Sequence, residues 1–226
     1  MPVLSWVVLR GRCVTCHEPF TVAYPIVELV TAVSFAAAAL RIGPHLPLLA
    51  YWMFFATLIV VSVIDLFTYT IPDRVIFPML GVSIGVIILI SLYYGDANAI
   101  VSALVGMLVY AMLLFLPFVI KPNALGFGDV KLALLMGLFI GWLGDWVLAI
   151  RLVLIALIMG CMLGFLIGGG LWLTRKITGR EVLLDPLVAE GELEAQDGLL
   201  HTTFPFGPAL ALGAALAILF APQLLG

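Results

Sequence analysis

Apolar runs of about 20 residues recur along almost the whole of this 226-residue chain, and they limit its possible folds more than any other feature. A helix needs a run of that length to cross roughly 30 Å of hydrocarbon. Hydrophobic residues make up 64% of the sequence and charged residues 10%. This composition indicates an integral membrane protein and excludes a soluble domain or a nucleic-acid binder. We place seven spans, near residues 22–40, 46–64, 75–93, 98–120, 130–144, 148–173 and 204–222.

The spans are predicted to be helices because their apolar residues are continuous. Strands of a membrane barrel would instead alternate lipid-facing with lumen-facing residues. Most connections are short and rich in turn-forming residues, as in "RIGPHLP" and "GWLGDW". Longer polar segments occur at residues 1–21 and at about residues 175–203. We therefore expect an all-α polytopic membrane helix bundle over residues 22–226, with about seven transmembrane helices and one larger loop.

The basic residues predict the orientation of this bundle. If the N-terminus is cytoplasmic, eight basic residues lie on the inner side and two, Arg41 and Arg151, on the outer side. Cytoplasmic loops carry the excess of positive charge, so this orientation is favoured. It places Asp65 and Asp129 at the same, cytoplasmic, membrane face. The eight inner residues are Arg10, Arg12, Arg74, Lys121, Lys131, Arg175, Lys176 and Arg180.

Three aspartates near span ends are candidates for function or for helix capping, since ionisable residues at membrane depth usually face the bundle interior or a wet cavity. Asp65 lies at the C-terminal end of a span, where the helix dipole disfavours negative charge, so capping does not explain it. Asp129 fits either role, with Gly126 and Gly128 forming the preceding turn. For Asp73, in "IPDRV", we predict an N-cap of the third span.

If the second and fifth spans pack together, Asp65 and Asp129 can form one site. Two neighbouring carboxylates cannot both ionise cheaply, so one holds a proton while the other stays charged. An aspartic protease uses this arrangement to activate water and polarise a peptide carbonyl. The glycines beside Phe127 would let a peptide backbone approach. The alternatives are a proton- or ion-coupled transporter that uses both aspartates as a relay, and a non-catalytic membrane assembly subunit.

Five stretches of the sequence together resemble one family. "LGFGDVKL" resembles the G-x-G-D signature of membrane aspartyl proteases, and with "IDLFTYTIPD" it resembles the type IV prepilin peptidases of bacteria. Further similar stretches are "PVLSWVVLRGRC", "CHEPFTVAYPIVELVTA" and "FPFGPALALGA". The resemblance implies an endopeptidase of the bacterial cytoplasmic membrane that removes the basic leader of type IV prepilins and type II secretion pseudopilins. Cleavage would follow a glycine, at the cytoplasmic face.

The same resemblance implies roles for individual residues. Asp65 and Asp129 match the catalytic pair. Asp73 and Lys131 belong to family motifs and could support catalysis or structure. Glu28, in "YPIVELV", could contact substrate or pack between helices. The expected partners are the pilin or pseudopilin precursor and the lipid bilayer, with no nucleic acid, and the sequence leaves the oligomeric state open.

Cys13 and Cys16 form one C-x-x-C pair, which is either half of a tetrahedral zinc site or a pair without metal. Long bifunctional members of the family carry two such pairs in a loop linked to N-methylation of the new pilin terminus. This chain resembles them from the middle of that loop onward, and His17 is poorly placed to complete a site. We therefore expect no metal site and no cofactor for peptidase activity, and we expect neither zinc nor S-adenosylmethionine to be bound.

Overall fold

The structure is a computed structural model that describes residues 21–120, 126–178 and 206–225, together with several of the first twelve residues. Within these ranges the chain forms seven long helices, which confirms the predicted all-α bundle. They are α1 (Ala23–Ile42), α2 (Pro47–Thr68), α3 (Asp73–Tyr93), α4 (Ala97–Ile120), α5 (Phe127–Gly141), α6 (Trp146–Thr178) and α7 (Phe206–Leu225).

Five of these helices, α1 to α4 and α6, are long and apolar enough to cross a membrane. The chain is therefore a multi-pass membrane protein. Helix α5 has 15 residues and is about 22 Å long, which is less than the roughly 30 Å of a hydrocarbon core. In α7, the apolar segment Phe206–Ala221 is also shorter than a full span.

Several of the predicted boundaries differ from the observed ones; helix α2, for example, ends at Thr68, four residues later than predicted. Helix α5 begins at Phe127 and ends at Gly141, three residues earlier at each end than predicted. Helix α6 continues to Thr178, so the first residues of the predicted loop are helical. Arg175 and Lys176 are good helix formers, and positive charge near a helix C-terminus is favourable.

The short helix α5 occupies the centre of the bundle, since it contacts α3, α4, α6 and α7. Eleven of its fifteen residues are buried. On α2, Tyr51 donates a hydrogen bond to the Phe139 carbonyl at 2.9 Å, and Phe54 stacks on the Phe139 ring with centroids 4.4 Å apart. Helices α2 and α5, which carry the two candidate aspartates, are thus joined through their side chains.

The predicted N-cap at Asp73 is wrong. The N-cap position of α3 is Pro72, and Asp73 is the first residue of the helix. Its carboxylate forms an ion pair with Lys131 of α5 instead. Side-chain capping occurs at two other aspartates: Asp96 accepts a hydrogen bond from the Ala99 amide, and Asp145 accepts one from the Leu148 amide.

Candidate active site

Asp65 lies one turn before the end of α2 and is buried, with 5% of its surface exposed. The helix ends at Tyr69, which adopts the left-handed conformation and donates its backbone N–H to the Asp65 carbonyl at 2.9 Å. The carboxylate faces the Gly207 amide, but its Oδ2 atom makes no hydrogen bond of good geometry among the described residues. A buried carboxylate oxygen that makes no hydrogen bond is energetically costly, and such groups cluster at functional sites.

Asp129 lies in the first turn of α5, whose N-cap is Gly126. Its backbone N–H donates to the Gly126 carbonyl at 3.1 Å, and its carboxylate faces the Gly126 amide. Negative charge is favoured at a helix N-terminus, so this placement stabilises α5. With 7% of its surface exposed, Asp129 is also buried in the bundle. Asp129 is therefore not the N-cap of α5, which was one of the two roles that the sequence left open; it is a buried carboxylate in the first turn of the helix.

The two aspartates face one site at one end of the bundle. Their carboxylates are close enough to repel each other when both are charged. This is the proximity expected if the second and fifth spans pack together. Two buried carboxylates at such a distance can share a proton, which gives the pair one general base and one general acid.

Gly207, at the start of α7, forms a third side of this site. A Cβ atom at Gly207 would lie 2.6 Å from Oδ2 of Asp65, a distance that real Cβ atoms do not tolerate. The backbone of α7 therefore packs directly against the Asp65 carboxylate. Sequence reasoning missed Gly207 as a site residue, although "FPFG" just before the last apolar run was the available signal.

Gly128 approaches the turn between α2 and α3. A Cβ atom there would lie 2.9 Å from the Cβ atom of Ile71. Gly126 has more room, since its nearest contact from a Cβ position is Oδ2 of Asp129 at 3.5 Å. Both predicted glycines thus lie at the aspartate pair, and Gly128 is the one that cannot carry a side chain.

Lys131 and Asp73 connect the starts of α5 and α3 beside the site. Their ion pair joins residues 58 positions apart in the sequence. The Lys131 ammonium also lies 4.8 Å from the centroid of the Phe127 ring and 5.5 Å from that of Phe77. Only 14% of the Lys131 side chain is exposed, against 56% for Asp73. Lys131 is thus held two residues after Asp129 by an ion pair and two aromatic rings, and its role in supporting catalysis stays a prediction.

The other predicted residues lie apart from the pair or outside the described residues. Glu28 is partly buried in the second turn of α1, and its role in substrate contact or packing stays a prediction. Cys13, Cys16 and His17, and most of the loop at 175–203, lie outside the described residues. Across the described ranges, no three His, Cys, Asp or Glu side chains are grouped as metal ligands.

Comparison with known proteins gives the family. A model of the type IV leader peptidase family matches residues 52–172, a segment that contains both aspartates. The chain belongs to this family. A second model, of the bacterial peptidase A24 N-terminal domain, matches residues 1–42. No solved structure matches.

Three bacterial relatives, each named prepilin leader peptidase/N-methyltransferase, illustrate the similarity. The protein of Pectobacterium carotovorum is 32% identical over 84% of this chain, and that of Burkholderia pseudomallei is 31% identical over 97%. The Bacillus subtilis protein is 29% identical over 100%. The chain spans 66%, 62% and 77% of these relatives, respectively.

Proposed function

We propose that this protein is a membrane aspartic endopeptidase that cleaves the basic leader from type IV prepilins and type II secretion pseudopilins. The observation that carries the proposal is the buried pair of Asp65 and Asp129, which lies within the segment that matches the leader peptidase family. The names of the relatives support prepilins as substrates.

The proposed reaction uses the two carboxylates in different protonation states. The charged carboxylate takes a proton from a water molecule, and the resulting hydroxide attacks the peptide carbonyl. The protonated carboxylate donates its proton to the carbonyl oxygen, giving a neutral tetrahedral intermediate. When this intermediate collapses, the C–N bond breaks, and the carboxyl that gained the proton from water passes it to the leaving amine. A hydroxyl of the intermediate returns its proton to the other carboxylate, which leaves one charged and one protonated aspartate as at the start. The chemistry needs neither a metal nor an organic cofactor.

The cytoplasmic face of the bacterial inner membrane is the proposed place of cleavage. The eight-to-two division of basic residues supports it, since the site end of the bundle would then face the cytoplasm. N-Methylation of the product, which would require S-adenosylmethionine, is not part of the proposal.

A proton- or ion-coupled transporter is the alternative from a different class. Such proteins place their ionisable groups near the bilayer midplane, often at helices broken within the membrane. Here both carboxylates lie at one end of the bundle, within one turn of a helix terminus. The matched family is one of peptidases, so the comparisons give the transporter no support.

The test is cleavage of a recombinant type IV prepilin precursor by the purified protein in detergent. Asp65→Asn and Asp129→Asn should each lower kcat/KM by several orders of magnitude, because an amide cannot activate water or share the proton. Both variants should still insert and unfold cooperatively. Asp145→Asn, which alters the cap at the start of α6, beyond the C-terminal end of α5, is the matched control and should cleave normally. Substantial cleavage by either site variant would reject the assignment.

A further inference from the structure

The side chain of Ile71 lies between the two glycines that border the aspartate pair. Its Cβ, Cγ1 and Cδ1 atoms lie 2.9, 3.3 and 3.4 Å from the position of a Cβ atom on Gly128. Its Cδ1 atom lies 3.5 Å from the corresponding position on Gly207, which is itself 2.6 Å from Oδ2 of Asp65. Ile71 therefore borders both the Asp129 side and the Asp65 side of the site.

The turn that carries Ile71 is stiff. Tyr69 is held in the left-handed conformation at φ 51°, and the hydroxyls of Thr68 and Thr70 are hydrogen-bonded at 3.0 Å. Pro72 follows, so the backbone of Ile71 is restricted to extended conformations. Its side chain is branched at Cβ and strongly prefers one χ1 rotamer. A bulky group placed in this way cannot easily move aside.

A peptide cleaved by Asp65 and Asp129 must bring its carbonyl within hydrogen-bond reach of both carboxylates. A residue held with its carbonyl at this pair would have its α-carbon near Gly128 and Gly207, and the Ile71 side chain lies between these two glycines. We propose that Ile71 is the specificity-determining residue that restricts this substrate position to glycine. The inference rests on the proposed function and adds to it the residue that selects the cleavage site.

The test compares two recombinant type IV prepilin precursors that differ only in having glycine or alanine at the residue before the cleaved bond. The wild-type protein should prefer the glycine precursor strongly. In Ile71→Ala, the ratio of kcat/KM values for glycine over alanine should fall by about tenfold or more, the range that one methylene group produces in a tight pocket. Ile71→Val lacks Cδ1 but keeps the branch at Cβ, so its ratio of kcat/KM values should lie between those of the wild-type protein and Ile71→Ala.

Ile84→Ala is the matched control, because it removes the same atoms from a half-buried isoleucine of α3 away from the site. It should leave the ratio unchanged. An unchanged ratio in both Ile71→Val and Ile71→Ala would overturn the inference, as would a wild-type protein that cleaves both precursors equally well. If Ile71→Ala does not fold, the ratio in Ile71→Val decides. A wild-type protein that cleaves neither precursor would instead reject the proposed function.

Discussion

The side chains of Asp65 and Asp129 are closely surrounded by the backbone of two glycines and by one aliphatic side chain. Gly128 and Gly207 let backbone approach the pair, and Ile71 fills the gap between them. The only groups with acid–base chemistry among these residues are the two carboxylates. The surrounding residues thus set the shape of the site, and the carboxylates set its chemistry.

Gly207→Ala tests whether this close approach matters. The new Cβ atom would have to displace the Asp65 carboxylate or the start of α7, since 2.6 Å separates its position from Oδ2. We expect kcat/KM for prepilin cleavage to fall about tenfold or more, the scale of a misplaced reacting group. Alanine is a better helix former than glycine, so the helix itself should not be weakened.

The matched control is Gly85→Ala on α3, where a Cβ atom would meet nothing within 4 Å. That variant should cleave at the normal rate. Thermal unfolding in detergent should show both variants folded. A Gly207→Ala protein with full activity would mean that the Asp65 carboxylate adapts, and Gly207 would lose its place in the site.

Among the helices, α5 is the one that fixes the site. Gly137 and Gly141 on α5 meet Gly106 on α4, and a Cβ atom at any of these three positions would collide with facing backbone. Small residues at such a contact let membrane helices approach closely. The resulting van der Waals packing stabilises the contact, because burial of apolar surface does not drive helix association within lipid. Because α5 is held along its length, Asp129 in its first turn is held as well.

The contact between α3 and α5 near the site yields a second prediction. Asp73 is more than half exposed, so its ion pair with Lys131 contributes about 0–1 kcal/mol. Lys131 is mostly buried and packs on the rings of Phe127 and Phe77, so its removal loses packing as well as charge. Asp73→Asn should therefore retain most activity and stability, whereas Lys131→Ala should lower both.

Thermal unfolding and prepilin cleavage of the two single variants and the double variant measure this coupling. Lys131→Met keeps the apolar stem without the charge and so separates packing from electrostatics. Its activity and stability should lie between those of Asp73→Asn and Lys131→Ala. If Asp73→Asn proves more damaging than Lys131→Ala, then Asp73 acts directly in the site and its supporting role is wrong.

For the whole molecule, the sequence predicted the elements well and their tertiary contacts less well. Seven helices were predictable because each lies in a continuous apolar run. The pairing of Asp65 with Asp129 was predictable because a carboxylate at a helix C-terminus requires an explanation. Asp73 was misread because nothing in "IPDRV" shows that Lys131, far along the chain, offers its carboxylate a partner. Ile71 and Gly207 were missed because their proximity exists only once α7 packs against α2.

The orientation of the whole bundle in the membrane yields the last prediction. Thr70 and Asn98 are both exposed and lie near opposite ends of α3. In a variant without native cysteines, a membrane-impermeant thiol reagent added to intact cells should label Asn98→Cys and leave Thr70→Cys unlabelled. The reason is the division of basic residues, eight on the side of Thr70 against two on the side of Asn98.

Permeabilised cells provide the control, because both cysteines should then react and so prove accessible. The reverse pattern in intact cells would place Asp65 and Asp129 outside the cytoplasm. Positively charged segments stay on the cytoplasmic side of the membrane, so the basic leader and the bond after it stay there as well. A site on the outer face could not reach that bond, and the proposed leader peptidase activity would have to be abandoned even with both aspartates in place.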